Sequence, residues 1–210
     1  MKSEKKNYTF EDYINYQQEL VDLVEKDVSK RFYNDSFVHA ALVIEALIRK
    51  AIKKHCDTIY MYCGEFSLFR EQKAKELREE IARVEPSPDN EKLHSQWEKF
   101  KPYESLVAAL KDYLAHGKMK LIVERSLEPM KDEEIWKELE PYFRSGAIES
   151  RLLQASFGLN HFIVAGNSYR RESNQDSKTA ICGFDIEKTS EVLISNYQML
   201  ELGSEPYTLH

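Results

Sequence analysis

Cysteine is scarce in this chain: 210 residues contain only Cys56, Cys63 and Cys182. An odd count with no C-x-x-C spacing excludes a disulfide framework and a zinc knuckle, so the three read as reduced, small, buried side chains. Seven glycines and six prolines are too few for a collagen-like or low-complexity chain. No stretch approaches the ~18 uninterrupted apolar residues of a membrane span. Met1-Lys2-Ser3-Glu4-Lys5-Lys6 is basic but runs into Asn7-Tyr8-Thr9, without the apolar core of a signal peptide. The expected setting is cytoplasmic, with no membrane partner. Positive charge is also short. Thirty Lys and Arg against 36 Asp and Glu leave a formal charge of −6, which disfavours nucleic acid as a partner.

Apolar residues make up 42% of the chain, and the 12 Tyr, 10 Phe and 2 Trp argue for a packed core. The length fits one domain with an added helical segment. Thr9 caps a helix expected over 10–32, where Phe10, Tyr13, Leu20, Val24 and Val28 recur at helical spacing. Tyr33-Asn34-Asp35-Ser36 then reads as a turn and a cap. A second helix to about residue 55 carries Phe37, Ala40, Ala41, Ile44, Leu47 and Ile48 on one face. Val38, Leu42 and Val43 widen that face, which predicts packing on two sides.

From residue 58 the period alternates between two and 3.6. Strands are expected at about 58–63, 118–124, 147–153, 160–165, 168–172 and 179–184. Helices are expected at 67–84, at 91–116 with a break at Pro102, at 132–144 and at 186–202. The early strand–helix–strand rhythm argues for parallel pairing, and the brief later turns for antiparallel hairpins. The predicted class is α/β, a mixed β-sheet flanked by helices. Residues 1–57 are expected to form an N-terminal helical extension packed on the core, 58–203 the α/β domain, and 204–210 a loose tail.

The segment His161-Phe162-Ile163-Val164-Ala165-Gly166-Asn167-Ser168-Tyr169, followed by Ala180-Ile181-Cys182-Gly183-Phe184-Asp185, resembles part of a phospholipase D superfamily half unit. The order of elements from Ile59 onward is similar too, over roughly two-thirds of the chain. In catalytic members of that family, a His-x-Lys motif is followed after four residues by Asp, and two motifs converge on one phosphate. The resemblance implies that His161 stands at the nucleophile position. Ile163 replaces the lysine and Ser168 replaces the aspartate. Losing the fixed cation removes a stabilising contribution of ~3 kcal/mol or more to the charged transition state.

The resemblance therefore implies a non-catalytic binding or assembly module with a degenerate site. The alternative is a phosphodiesterase or nuclease-type hydrolase with a rearranged site at a dimer interface. His161 itself reads either as a hydrogen-bonded, inert strand residue or as part of a relic pocket for a small anion. Arg170 and Arg171 are the cations of such a pocket, although alternation lets only one of them face it. A single motif implies a homodimer.

Other signals are weaker. Glu65 and Glu124 fall at the carboxyl ends of two strands, where open α/β sheets place ligands, but solvated strand-end glutamates are common. His39, His55, His94 and His116 lack ligand spacing, so no metal is expected. No glycine-rich phosphate loop is present, and no cofactor is expected.

Overall fold

The computed structural model describes residues 8–154, 158–173 and 178–207. Helix α1 (Phe10–Glu25) opens on a capping box: Thr9 Oγ1 accepts from the Asp12 amide at 3.2 Å, and Asp12 Oδ2 accepts from the Thr9 amide at 2.8 Å. The helix expected over 10–32 stops here, and Lys30–Asp35 is instead a strand, β1. Two tertiary effects override the helical spacing. Lys50 Nζ donates to the Leu23 and Lys26 carbonyls at 2.8 and 3.1 Å, and Lys53 Nζ to those of Val24 and Glu25 at 3.2 and 2.6 Å. These side chains satisfy the carbonyls that a longer helix would have bonded. Residues 30–35 then gain a strand partner over 179–184.

Ser36 caps α2 (Phe37–Lys53), its Oγ accepting from the His39 amide at 3.0 Å. Apolar nearly all round, α2 is buried between α1, the later helix α5 (Pro102–Leu114) and the sheet. The packing on two sides expected from its sequence is present. Strand β2 (Thr58–Cys63) leads through a 3₁₀ turn at 67–69 to α3 (Glu71–Ala82), α4 (Glu91–Lys99) and α5. Pro102 breaks the 91–116 stretch and starts α5. Then come β3 (Lys118–Val123), α6 (Glu134–Ser145), β4 (Ile148–Leu153), β5 (Phe162–Ala165), β6 (Ser168–Glu172), β7 (Thr179–Phe184), α7 (Glu187–Leu202) and β8 (Ser204–Pro206). The stretch expected as a tail thus contributes a short strand on β4.

All six expected strands are present, and among the described residues β1 and β8 bring the sheet to eight, in the order β1-β7-β6-β5-β2-β3-β4-β8. Only β2, β3 and β4 run parallel to one another, and the remaining pairs are antiparallel. Alternation divides the core into two. Ile59, Met61, Leu121 and Ile163 face the layer built on α1, α2, α3, α5 and α6, whereas Tyr62, Ile122, Phe162 and Val164 face Leu193, Tyr197 and Leu200 of α7. The β5–β6 hairpin turns on Gly166-Asn167, with Gly166 at φ +55°, as a two-residue turn led by glycine requires. Among the described residues, no helix is long and apolar enough to cross a membrane.

Candidate functional site

His161 immediately precedes β5 at the edge of the sheet where β2 and β3 end. The two-residue turn reflects residue 161 onto residue 172, so the Glu172 amide donates to the His161 carbonyl at 2.8 Å. Their side chains meet as well. His161 Nδ1 lies 3.0 Å from Glu172 Oε2, and Glu172, only 4% exposed, receives Arg170 Nη1 on Oε1 at 3.2 Å. Arg170, two residues earlier on the same strand face, also donates from Nε to Asn34 Oδ1 at 3.2 Å. The Cys182 thiol donates to that same oxygen at 3.2 Å. A chain of polar groups therefore runs under the sheet edge from β1 to β5.

The other imidazole nitrogen faces a second carboxylate, with Nε2 3.6 Å from Glu124 Oε2. Glu124 is held from two sides. The Tyr62 hydroxyl donates to its Oε1, and the Glu124 amide donates to the Cys63 and Gly64 carbonyls at 3.1 and 3.0 Å. The Tyr62 ring meets the imidazole edge-on at 5.3 Å between centroids. Gly64 completes the enclosure, because a Cβ there would stand 3.4 Å from His161 Cε1.

The electrostatics follow from this packing. Burial alone would lower the His161 pKa, but the hydrogen bond and charge of Glu172, then the charge of Glu124, outweigh it and raise the pKa above 6.5. Burial likewise pushes Glu172 up, and the bond to His161 with the Arg170 charge overcomes it, leaving Glu172 below its ordinary 4.5. Burial and the Glu124 carboxylate raise the Tyr62 hydroxyl, so it stays protonated and donates. The buried Cys63 thiol nearby is pushed up to about 12 by desolvation and is not a thiolate nucleophile.

The residues singled out in the sequence separate here. His161 and Glu124 come together, whereas Glu65 turns to Arg70, 3.7 Å away. Arg170 is buried against Glu172 and Asn34, and Arg171 is exposed on the opposite face of β6. Ile163, at the lysine position of the resemblance, is 1% exposed in the core. Ser168, at the aspartate position, accepts the Asp185 amide on Oγ at 3.2 Å. Lys178 Nζ sits over the Phe37 ring at 4.5 Å. Glu172, Tyr62 and Asn34 escaped the sequence reading. Glue between strands distant in sequence leaves no local signature, but Glu172 had one: a two-residue turn at 166–167 dictates that 161 faces 172. Among the described residues, no group of three or more His, Cys, Asp or Glu side chains is arranged to hold a metal.

No family model matches the chain, and neither does any curated protein sequence. Among solved structures, it is similar to TrmBL2, an archaeal chromatin protein whose structure is described as showing a novel mode of DNA binding. The identity is 10% and the TM-score 0.49, covering 94% of this chain but 63% of that one, so this chain spans less than two-thirds of its length. It is also similar to Nuc from Salmonella typhimurium, described as a phospholipase D family member, at 13% identity and TM-score 0.46, covering 87% of this chain and all (100%) of the other. For NucT from Helicobacter pylori the identity is 12% and the TM-score 0.46, with 86% of this chain and 100% of the other covered.

Proposed function

We propose that this chain is a non-catalytic binding or assembly module. The observation that carries the reading is the pair of carboxylates on His161, with Glu172 at 3.0 Å from Nδ1 and Glu124 at 3.6 Å from Nε2. A phosphodiester approaching Nε2 meets a carboxylate, and like charges ~4 Å apart repel by roughly 4 kcal/mol at an effective dielectric of 20. Arg170 does not offset this, because its guanidinium is bonded to the other oxygen of Glu172. The raised pKa also favours the imidazolium, which has no lone pair to attack phosphorus. Capture of a small anion by His161, Arg170 and Arg171 acting together is disfavoured for the same reasons, with Arg171 on the opposite face.

A second reading has one observation in its favour. A buried carboxylate orienting Nδ1 leaves Nε2 as the working nitrogen, which is how a catalytic imidazole is held. A hydrolase of this kind would need a cation and a second half-site from another subunit. A panel of phosphodiesters with single- and double-stranded DNA, run with and without divalent metals, separates the two. The module reading expects equal background rates for the wild type and His161→Ala. Turnover that disappears in His161→Ala would establish the hydrolase.

A further inference from the structure

A cavity of about 730 Å³ lies at the edge formed by β4 and β8. That volume is in the range of small-molecule sites. Alternation puts Lys120 of β3 and Arg151 of β4 on the α7 face of the sheet, where Tyr197 and Glu201 of α7 join them in lining the cavity. β4 stands three strands from β5, roughly 14 Å across the sheet at ~4.8 Å per step, so the cavity is separate from the His161 cluster.

Two donors in it have no acceptor among the described residues. The Tyr197 side chain is 0% exposed, and its hydroxyl has no hydrogen-bond partner. Burial and then the Glu201 carboxylate raise its pKa, so the hydroxyl keeps its proton and can donate. The Tyr60 ring packs on the Tyr197 ring at 5.1 Å between centroids and holds it in place. Arg151 donates from Nε to Ser204 Oγ at 2.9 Å and from Nη2 to the Glu201 and Ser204 carbonyls at 3.3 and 2.5 Å, all neutral acceptors. Its Nη1 is left over, and among the described residues no carboxylate lies at ion-pairing distance from the guanidinium. The Arg151 charge is near enough to the Tyr197 hydroxyl to pull its pKa the other way. A partly buried cation and a buried hydroxyl with nothing to donate to are each costly alone, and one oxyanion satisfies both.

The other charges of the lining limit what that oxyanion is. Lys120 Nζ is 3.6 Å from Glu201 Oε1, while Glu149 pairs outward with Lys118 at 3.1 Å and Arg144 with Glu140 at 2.7 Å. Among the described residues Arg151 is therefore the lining charge without an opposite partner. A monoanionic head balances it, whereas the second charge of a phosphate dianion would face Glu201 uncompensated. Phe143, Ile148 and Pro206 add apolar wall. We infer that this cavity is a binding site for a small organic acid, whose carboxylate is taken by Arg151 Nη1 and the Tyr197 hydroxyl and whose carbon body lies against Phe143, Ile148 and Pro206. The site goes beyond the reading above and uses none of the His161 cluster.

Isothermal titration of the full chain with acetate, butyrate, hexanoate and phenylacetate at fixed ionic strength, beside chloride and inorganic phosphate, tests it. The carboxylates should bind, and more tightly as the carbon body grows. Tyr197→Phe keeps the ring and removes only the hydroxyl, so it should weaken binding roughly tenfold. Its melting temperature should be unchanged or higher, because the hydroxyl it removes has no partner in the free protein. A merely structural tyrosine would give the reverse. Arg151→Met should weaken binding roughly tenfold or more. Arg151 also ties α7 to β8, so far-UV circular dichroism checks the fold of that variant, and Tyr197→Phe alone carries the test if it unfolds. Carboxylates that bind no more tightly than chloride would overturn the proposal. So would a preference for phosphate, or an affinity unchanged in Tyr197→Phe. None of these outcomes touches the phosphodiester assay, so the two readings fail separately.

Discussion

Glu172 and His161 face each other across a two-residue hairpin, bonded once through backbone and once through side chains, at 2.8 and 3.0 Å. Backbone register alone sets the first contact and brings the second within reach. The carboxylate that results is buried between an imidazole and the Arg170 guanidinium, so its removal takes a charged partner from both.

Glu172→Ala should destabilise the protein by about 3–5 kcal/mol, the usual consequence of breaking a buried charge pair from one side. Glu172→Gln keeps the volume and isolates the charge. The sign of its pH dependence follows from the two shifts. The raised pKa of His161 gives stability that is complete below 6.5 and is lost as pH rises through the folded value. The lowered pKa of Glu172 gives stability present above 4.5 and lost as pH falls through its folded value. The difference in urea stability between wild type and Glu172→Gln should therefore be largest between 4.5 and 6.5 and shrink on both sides. A difference that stays unchanged as the pH is taken below 4.5 and above 6.5 would contradict the pairing.

Lys50 is 2% exposed and joins three segments: the α1 carbonyls already described, the sheet side of α2, and Asp185, whose Oδ2 lies 2.8 Å from Nζ. Lys50→Met should cost about 3 kcal/mol, because the carbonyls and the carboxylate lose a donor that methionine cannot replace. Hydrogen exchange should show the last turn of α1 fraying first. Unchanged protection there would contradict the capping role.

Gly166→Ala should lower the melting temperature by roughly 2–8 °C, from ~1–2 kcal/mol of left-handed backbone strain in a chain of this size. Its new Cβ would also stand 2.9 Å from Cys56 Sγ. Differential scanning calorimetry measures the shift, and an unchanged midpoint would show that the turn relaxes.

Much of the sheet was legible because β-branched and aromatic runs at 58–63, 118–123 and 179–184 carry their own period. β1 was not. Residues 30–32 continue the helical spacing of α1 and residues 33–35 read as a turn, and only pairing with a strand some 150 positions away makes the whole segment extended. The site divides in the same way. Glu172 could be read from the hairpin turn, and Glu124 stood out as a strand-end carboxylate. The Tyr62–Glu124 bond depends on the parallel register of β2 and β3, which places Tyr62 beside Ile122 and has no local signal.

The account turns on the protonation of His161, which ring-nitrogen chemical shifts in a pH titration report directly. The predicted midpoint lies above 6.5, with both nitrogens protonated below it, and it should fall in Glu172→Gln and Glu124→Gln. A midpoint below 6.5, with Nε2 carrying a free lone pair at neutral pH, would contradict it and return His161 to the role of nucleophile.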